Sequence, residues 1–275
     1  MQALTVFVRS GLAGVVLLAA QVTALAQPAP PDPLARVRQL YNAGMYDDAI
    51  AAAAEVASRP GVQNEARLLL GRALLERHRT NRVAEDLDSA RTALRGVEAA
   101  SLGDRGRIDL VVGLGEALYL DADYRPAASL LEPVLEQMDV LSHAEREQVL
   151  DWWATAMDRY AQTRPPDERV EVYADVEARL RAHLGRHPDS SAASYWLPAS
   201  ALARGDLELA WDLAIAAWVR STLAPDNGVQ LRTDIDRLVT QAIIPERVKR
   251  LPDDPDAGAA ARFTAEWDEA KLRWK

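Results

Sequence analysis

An all-α chain, arranged as a solenoid of helical hairpins, is expected here on three grounds. Apolar residues recur at intervals of three and four along most of the sequence, the period of a helix with one buried face. Alternating β-branched runs, the mark of half-buried strands, are missing. Three stretches share one spacing of small and bulky residues: Leu40, Ala49, Ala53 and Val56; Leu118, Ala127, Leu131 and Val134; Ala201, Ala210, Ala214 and Ala217. A hairpin of two short helices cannot bury its apolar face alone, so repeated hairpins imply stacked neighbours with one continuous core.

The amino terminus reads as a secretory signal. Arg9 supplies a positive charge, GLAGVVLLAAQVTALA an apolar run, and Ala24-Leu25-Ala26 a small-x-small cleavage site, so residues 1–26 are expected to leave after Ala26. The run is shorter than the ~20 residues that cross a bilayer, and no membrane insertion is expected after cleavage. The mature protein is expected in the periplasm or outside the cell. With no cysteine in the chain, neither a lipid at the cleavage site nor a disulfide is available. The formal charge of −9 becomes −10 when Arg9 is removed. Such an acidic balance repels phosphates, and no nucleic-acid partner is expected. Residues 27–32, beginning QPAPP, form a stiff linker; Asp32-Pro33 then reads as an N-cap with proline in the first turn.

Hairpins follow over residues 33–220. In the first, RQLYNAGMYDDAIAAAAEVASRP, a turn at Gly44 joins two helices and Pro60 closes the unit. The second opens on Leu70-Gly71 and Leu74, but Ala90, Leu94 and Val97 arrive seven residues late, so RHRTNRVAEDLD lengthens the helices or bulges between them. The third, LVVGLGEALYLDADYRPAASLLEPVL, turns at Ala122. The fourth starts at Ser142, where Ser-x-x-Glu to Glu145 makes a capping box. Val149, Leu150, Trp153, Met157 and Tyr160 follow at helical spacing, Pro165-Pro166 stop that helix, and Val176, Leu180 and Pro188 mark the second. His183 stands in it where a small residue is expected. The fifth, YWLPASALARGDLELAWDLAIAAW, turns at Gly205. Small residues in the first helix and alanines in the second let the two backbones approach closely. Tyr46, Tyr124 and Leu207, two residues past the turns, are placed to plug the space between hairpins.

This arrangement of Leu-Gly, aromatic or aliphatic, Ala, bulky residue and Pro resembles the tetratricopeptide repeat (TPR) family. The resemblance covers most of residues 33 to 220. It implies a right-handed α-α superhelix whose first helices line a concave groove that binds peptide segments or partner proteins. Placing the family's groove-facing positions on this chain selects Arg38, Tyr41, Asn42, Arg72, Glu116, Tyr119 and Tyr195. Pro198 departs from the pattern, occupying the small-residue position of the last first helix.

Solenoids hide the apolar face of their last repeat behind a cap. In residues 221–251, VQLRTDIDRLVTQAIIPERVKRL places Leu231, Ile235, Leu238, Val239, Ala242 and Ile243 on one helical face, with Pro245 expected to kink or end the helix. Residues 252–275 hold a linker and an amphipathic helix whose stripe is Phe263, Trp267, Ala270 and Trp274. Exposed aromatics at this spacing favour docking onto the cap; the alternative is a free amphipathic segment that meets a partner.

No constellation supports catalysis. His183 and His187 lie one turn apart, but neither a third ligand nor a preceding Glu accompanies them, so no metal and no cofactor are expected. Gly103, Gly113 and Gly115 follow no strand and precede no Lys-Ser/Thr, which excludes a phosphate loop. Asp47-Asp48 and Asp253-Asp254 fall in turns or tails, where acids cap helices or meet water. Trp152, Trp153, Trp196, Trp211 and Trp218 read as hairpin core; the other reading is an aromatic cleft for a peptide or glycan. The resulting expectation is a non-catalytic scaffold of the cell envelope that binds a peptide segment or protein partner. Its alternative is an accessory helical domain that binds or processes a cell-wall or peptide substrate.

Overall fold

The computed structural model describes residues 32–137, 140–251 and 258–274, and every regular element among them is helical. These helices all belong to the unit Pro33–Lys275. They run α1 (Ala35–Asn42), α2 (Tyr46–Val56), α3 (Gln63–Asn81), α4 (Ala84–Arg95), α5 (Asp104–Leu120), α6 (Tyr124–Glu136), α7 (His143–Gln162), α8 (Pro166–Arg186), α9 (Ser191–Ala203) and α10 (Leu207–Arg220). Then α11 (Val229–Leu238) passes through a π-helical turn, Val239–Ile243, into α12 (Ile244–Lys249), and α13 (Gly258–Arg273) follows. Each odd helix packs on the even helix after it, from α1·α2 to α9·α10. The odd helices α1 to α11 also touch one another in order. They form the layer that carries the candidate site.

Three turns share one closure. Met45 N–H donates to Leu40 O at 3.0 Å, Asp123 N–H to Leu118 O at 2.9 Å and Asp206 N–H to Ala201 O at 2.9 Å. Nested inside, Gly44, Ala122 and Gly205 donate to Tyr41, Tyr119 and Leu202 at 3.0, 3.0 and 2.8 Å. This Schellman pattern needs a left-handed residue, and Gly44, Ala122 and Gly205 have φ of 72°, 65° and 83°. Only Ala122 carries a Cβ there.

The small residues perform the packing their spacing implies. Ala49, Ala53, Ala90, Ala127, Ala210, Ala214 and Ala217 are fully buried. A Cβ on Gly71 would lie 2.6 Å from Leu94 Cγ, and one on Gly115 would lie 2.7 Å from Leu131 Cδ2. Leu94 and Leu131 are themselves buried, so each glycine of a first helix is the socket for a leucine of the second. The late alanine of the second unit is absorbed by α3, which extends over 19 residues and ends at the left-handed Arg82. In α7 the Ser142–Glu145 capping box forms. Burial would raise the Glu145 carboxyl, but Arg105 and Ser142 outweigh it and hold it at about 2.

Three expectations are corrected. α1 begins at Ala35 with Leu34 in the N-cap position and no side-chain cap, rather than at an Asp32 cap. Leu34 is buried in a cluster with Val37, Ala53, Val56 and Ala66, so apolar anchoring sets the start. Of the two outcomes expected at Pro245, the helix does not end there: Ile244 N–H bonds to Val239 O, five residues back, and this wider turn, one of the local irregularities at which helices bend, accommodates the ring. Trp274 does not continue the buried stripe; it is 50 % exposed, whereas Trp267 is 0 % exposed.

α13 docks through that tryptophan. Trp267 Nε1 donates to Asp236 at 2.9 Å and Lys271 Nζ to the same carboxylate at 2.7 Å. The indole meets Trp218 and Trp211 edge-on, with centroids 5.6 and 6.0 Å away. Arg247 lies over Trp211 at 4.4 Å and over Phe263 at 4.2 Å.

Candidate functional site

The site is built from helical spacing on three successive odd helices. Residues three or four apart share a helix face, which aligns Arg72, Glu76 and Arg79 on α3, Glu116 and Tyr119 on α5, and Trp152, Thr155 and Arg159 on α7. The turn after α5 brings Tyr124 back against Tyr119, with ring centroids 5.7 Å apart. Tyr41 and Tyr46 repeat this pairing across the first turn at 5.9 Å. Together Arg79, Arg82, Glu116, Tyr119, Leu120, Tyr124, Asp151, Trp152, Thr155 and Arg159 enclose a cavity of about 430 Å³.

Glu116 is the unusual group. It is 5 % exposed, and its Oε1 has no hydrogen-bond partner among the described residues. Burial pushes its carboxyl up to about 8, Glu76 adds to the rise, and Arg79 and Arg72 oppose it. A buried carboxyl without a dedicated cation stays neutral, so at neutral pH Glu116 carries an O–H donor. Both neighbouring arginines are engaged elsewhere: Arg79 Nη2 bonds Glu76 at 2.5 Å and Arg72 Nη1 meets Asp109 at 3.2 Å. Arg72 also lies 5.1 Å over the Tyr41 ring. Burial carries the Tyr41 hydroxyl up to about 12, against the pull of Arg72.

The seven groove positions do not all converge. Tyr41, Arg72 and Glu116 join one polar cluster with Glu76. Tyr119 and Glu116 line the cavity. Tyr195 sits edge-on to Trp196 at 5.5 Å, whose Nε1 donates to Asp151 at 2.8 Å, but Tyr195 itself does not line the cavity. Arg38 pairs with Glu65 at 3.1 Å, and Asn42 is exposed; neither lines the cavity. Sequence reading missed Glu76, Arg79, Arg82, Asp151, Thr155 and Arg159. A helical wheel drawn through Arg72 and Trp152 would have found all but Arg82 and Asp151.

Family and sequence comparisons add no constraint. The chain matches no protein-family model. No curated protein matches it significantly either. The site is therefore read from its own chemistry. Among the described residues no group of three or more His, Cys, Asp or Glu could hold a metal ion. The His183 and His187 rings lie tilted at 38° to each other, with centroids 4.7 Å apart. Trp153 lies in the core, and Trp211 and Trp218 pack around Trp267; Trp152 alone of the five lines the cavity.

Proposed function

We propose that this protein is an exported, non-catalytic interaction module of the tetratricopeptide type. In this reading α1 to α10 are five repeats of a right-handed superhelix, α11–α12 cap it, and the odd-helix layer is its concave face. A peptide segment of an envelope protein lies along that face, against Tyr41, Arg72, Glu116, Tyr119 and Tyr195. The observation that carries the reading is the ordered contact of α1, α3, α5, α7, α9 and α11, because a single layer of first helices is what an extended segment would follow. The three matching Schellman turns and the two glycine sockets support the repeat register.

Export rests on residues 1–26, which lie outside the described residues. Amino-terminal sequencing of protein recovered from the envelope tests it; Gln27 is the expected first residue, and an intact Met1 would refute the signal. Partner binding is tested by pull-down from envelope extract with the wild type and with the double variant Tyr41→Ala, Arg72→Ala. The wild type is expected to recover a stoichiometric protein partner and the variant to lose it. Equal recovery by both would remove the odd-helix layer from the interaction.

A further inference from the structure

The cavity around Glu116 has a chemistry that an extended peptide does not explain. Its polar lining is rich in donors: Arg79, Arg82 and Arg159, the Tyr119 and Tyr124 hydroxyls, Thr155 and the Trp152 indole. Its acceptors are few, since Asp151 already receives the Trp196 indole. Arg159 bonds the Tyr119 hydroxyl and Arg82 is exposed; among the described residues neither is salt-bridged to a carboxylate. In a chain of formal charge −9, two guanidinium groups without a carboxylate partner lining one cavity mark a place for an anion.

Three further features narrow the ligand. The walls are aromatic, with Trp152, Tyr119 and Tyr124 each half-buried, so they offer ring faces to a ligand that has an apolar face of its own. The cavity has the size of a small-ligand pocket, bounded by α3, α5 and α7 rather than running the length of the layer. Its lining holds no Asn or Gln, the side chains that pair donor and acceptor with a peptide backbone. A pyranose presents an apolar C–H face, many oxygen acceptors and a rigid ring. If it carries a carboxylate, it also presents the anion.

We propose that this cavity binds a carboxylated saccharide, with Arg82 and Arg159 on the carboxylate, Trp152 under the ring and Glu116 bonded to a ring or hydroxyl oxygen. The buried, unpartnered Oε1 of Glu116 then gains the partner it lacks. This assignment goes beyond the peptide reading; the two share Glu116 and Tyr119, but the pull-down variants Tyr41→Ala and Arg72→Ala lie outside the cavity lining, so the two tests fail separately.

The test uses the full chain, titrated by calorimetry and tryptophan fluorescence. The probes are glucuronate oligosaccharides, muramate-containing oligosaccharides, neutral glucose and N-acetylglucosamine oligosaccharides of equal length, and the blocked peptide acetyl-Glu-Phe-amide. At least one carboxylated saccharide is expected to bind tenfold or more tightly than its neutral counterpart, and the glucuronate and muramate arms identify the source of the carboxylate. Arg82→Gln, at an exposed turn position, and Arg159→Gln are each expected to weaken that binding at least tenfold. Trp152→Leu is expected to abolish the fluorescence change. Equal affinity for neutral sugars, indifference to both arginine substitutions, tighter binding of the acidic peptide, or no binding of any saccharide overturns the proposal. A partner recovered in the pull-down together with no saccharide binding would leave the scaffold reading standing and sink this one; saccharide binding without a protein partner would do the reverse.

Discussion

Ala122 is the clearest case of one residue working against its neighbours' pattern. It adopts the left-handed conformation that Gly44 and Gly205 occupy in the equivalent turns, at a cost of ~1–2 kcal/mol for a residue with a Cβ. Glycine there removes the steric cost but raises the entropy of the unfolded chain. Ala122→Gly is therefore expected to stabilise the protein by about 0.5–1 kcal/mol, read as a higher urea midpoint. An unchanged or lower midpoint would count against the closure described for this turn. Glu116 and His183 set opposite pH limits. The native Glu116 carboxyl titrates at about 8, from an ordinary value of 4.5. Its neutral form stabilises the fold fully below pH 4.5, and that stability is lost as the pH rises through 8. Burial, then His187, Arg186 and Arg146, hold His183 down at about 4 from 6.5, opposed by Asp189; its contribution is present above pH 6.5 and lost as the pH falls through 4. Glu116→Gln is expected to gain more than about 1 kcal/mol on wild type between pH 5 and pH 8. Parallel unfolding curves for the two proteins across that window would show that Glu116 is not buried neutral.

Helix packing depends on the glycine sockets and the alanine rows. Gly115→Ala places a Cβ 2.7 Å from Leu131 Cδ2, and Leu131 is fully buried. α5 and α6 must separate or Leu131 must leave its rotamer, so a loss of ~1–3 kcal/mol is expected in denaturant. Ala127→Leu acts from the other side of the same contact. Ala127 is 0 % exposed, and a similar loss of ~1–3 kcal/mol is expected; a midpoint equal to wild type in either variant would mean that the α5–α6 register is wrong. α13 is held by one residue above all. Trp267 is 0 % exposed and donates to Asp236, so Trp267→Ala is expected to cost about 3–5 kcal/mol, the range for deleting a buried aromatic.

At the level of the whole chain, α13 covers the apolar faces of α10 and α12. Removing residues 252–275 is expected to lower the melting temperature and to create dye-binding surface where Trp211, Trp218 and Val239 are now covered. An unchanged melting temperature would reassign α13 as an arm rather than part of the core. The pull-down described above, repeated with this truncation, separates a structural loss from a lost partner.

The all-helical character, the turns at Gly44, Ala122 and Gly205 and the Leu-Gly sockets could all be read from the chain. Each depends on residues close in sequence, where helical period, a missing Cβ or a left-handed turn leaves a local signature. The capping box at Ser142 was legible for the same reason. The start of α1 at Ala35 was not, because burial of Leu34 against Ala53 and Ala66 involves residues distant in sequence. Nor was the passage of the helix through Pro245. Of the candidate site, Glu116, Tyr119 and Arg72 were selected by position, but their environment was not. A carboxyl that is solvated on one helix becomes neutral and unpartnered only when α3 and α7 close over it, and the arginines that would neutralise it are drawn to Glu76 and Asp109. Charge and burial at a site are sums over neighbours far apart in the chain, so they appear only once the helices are packed.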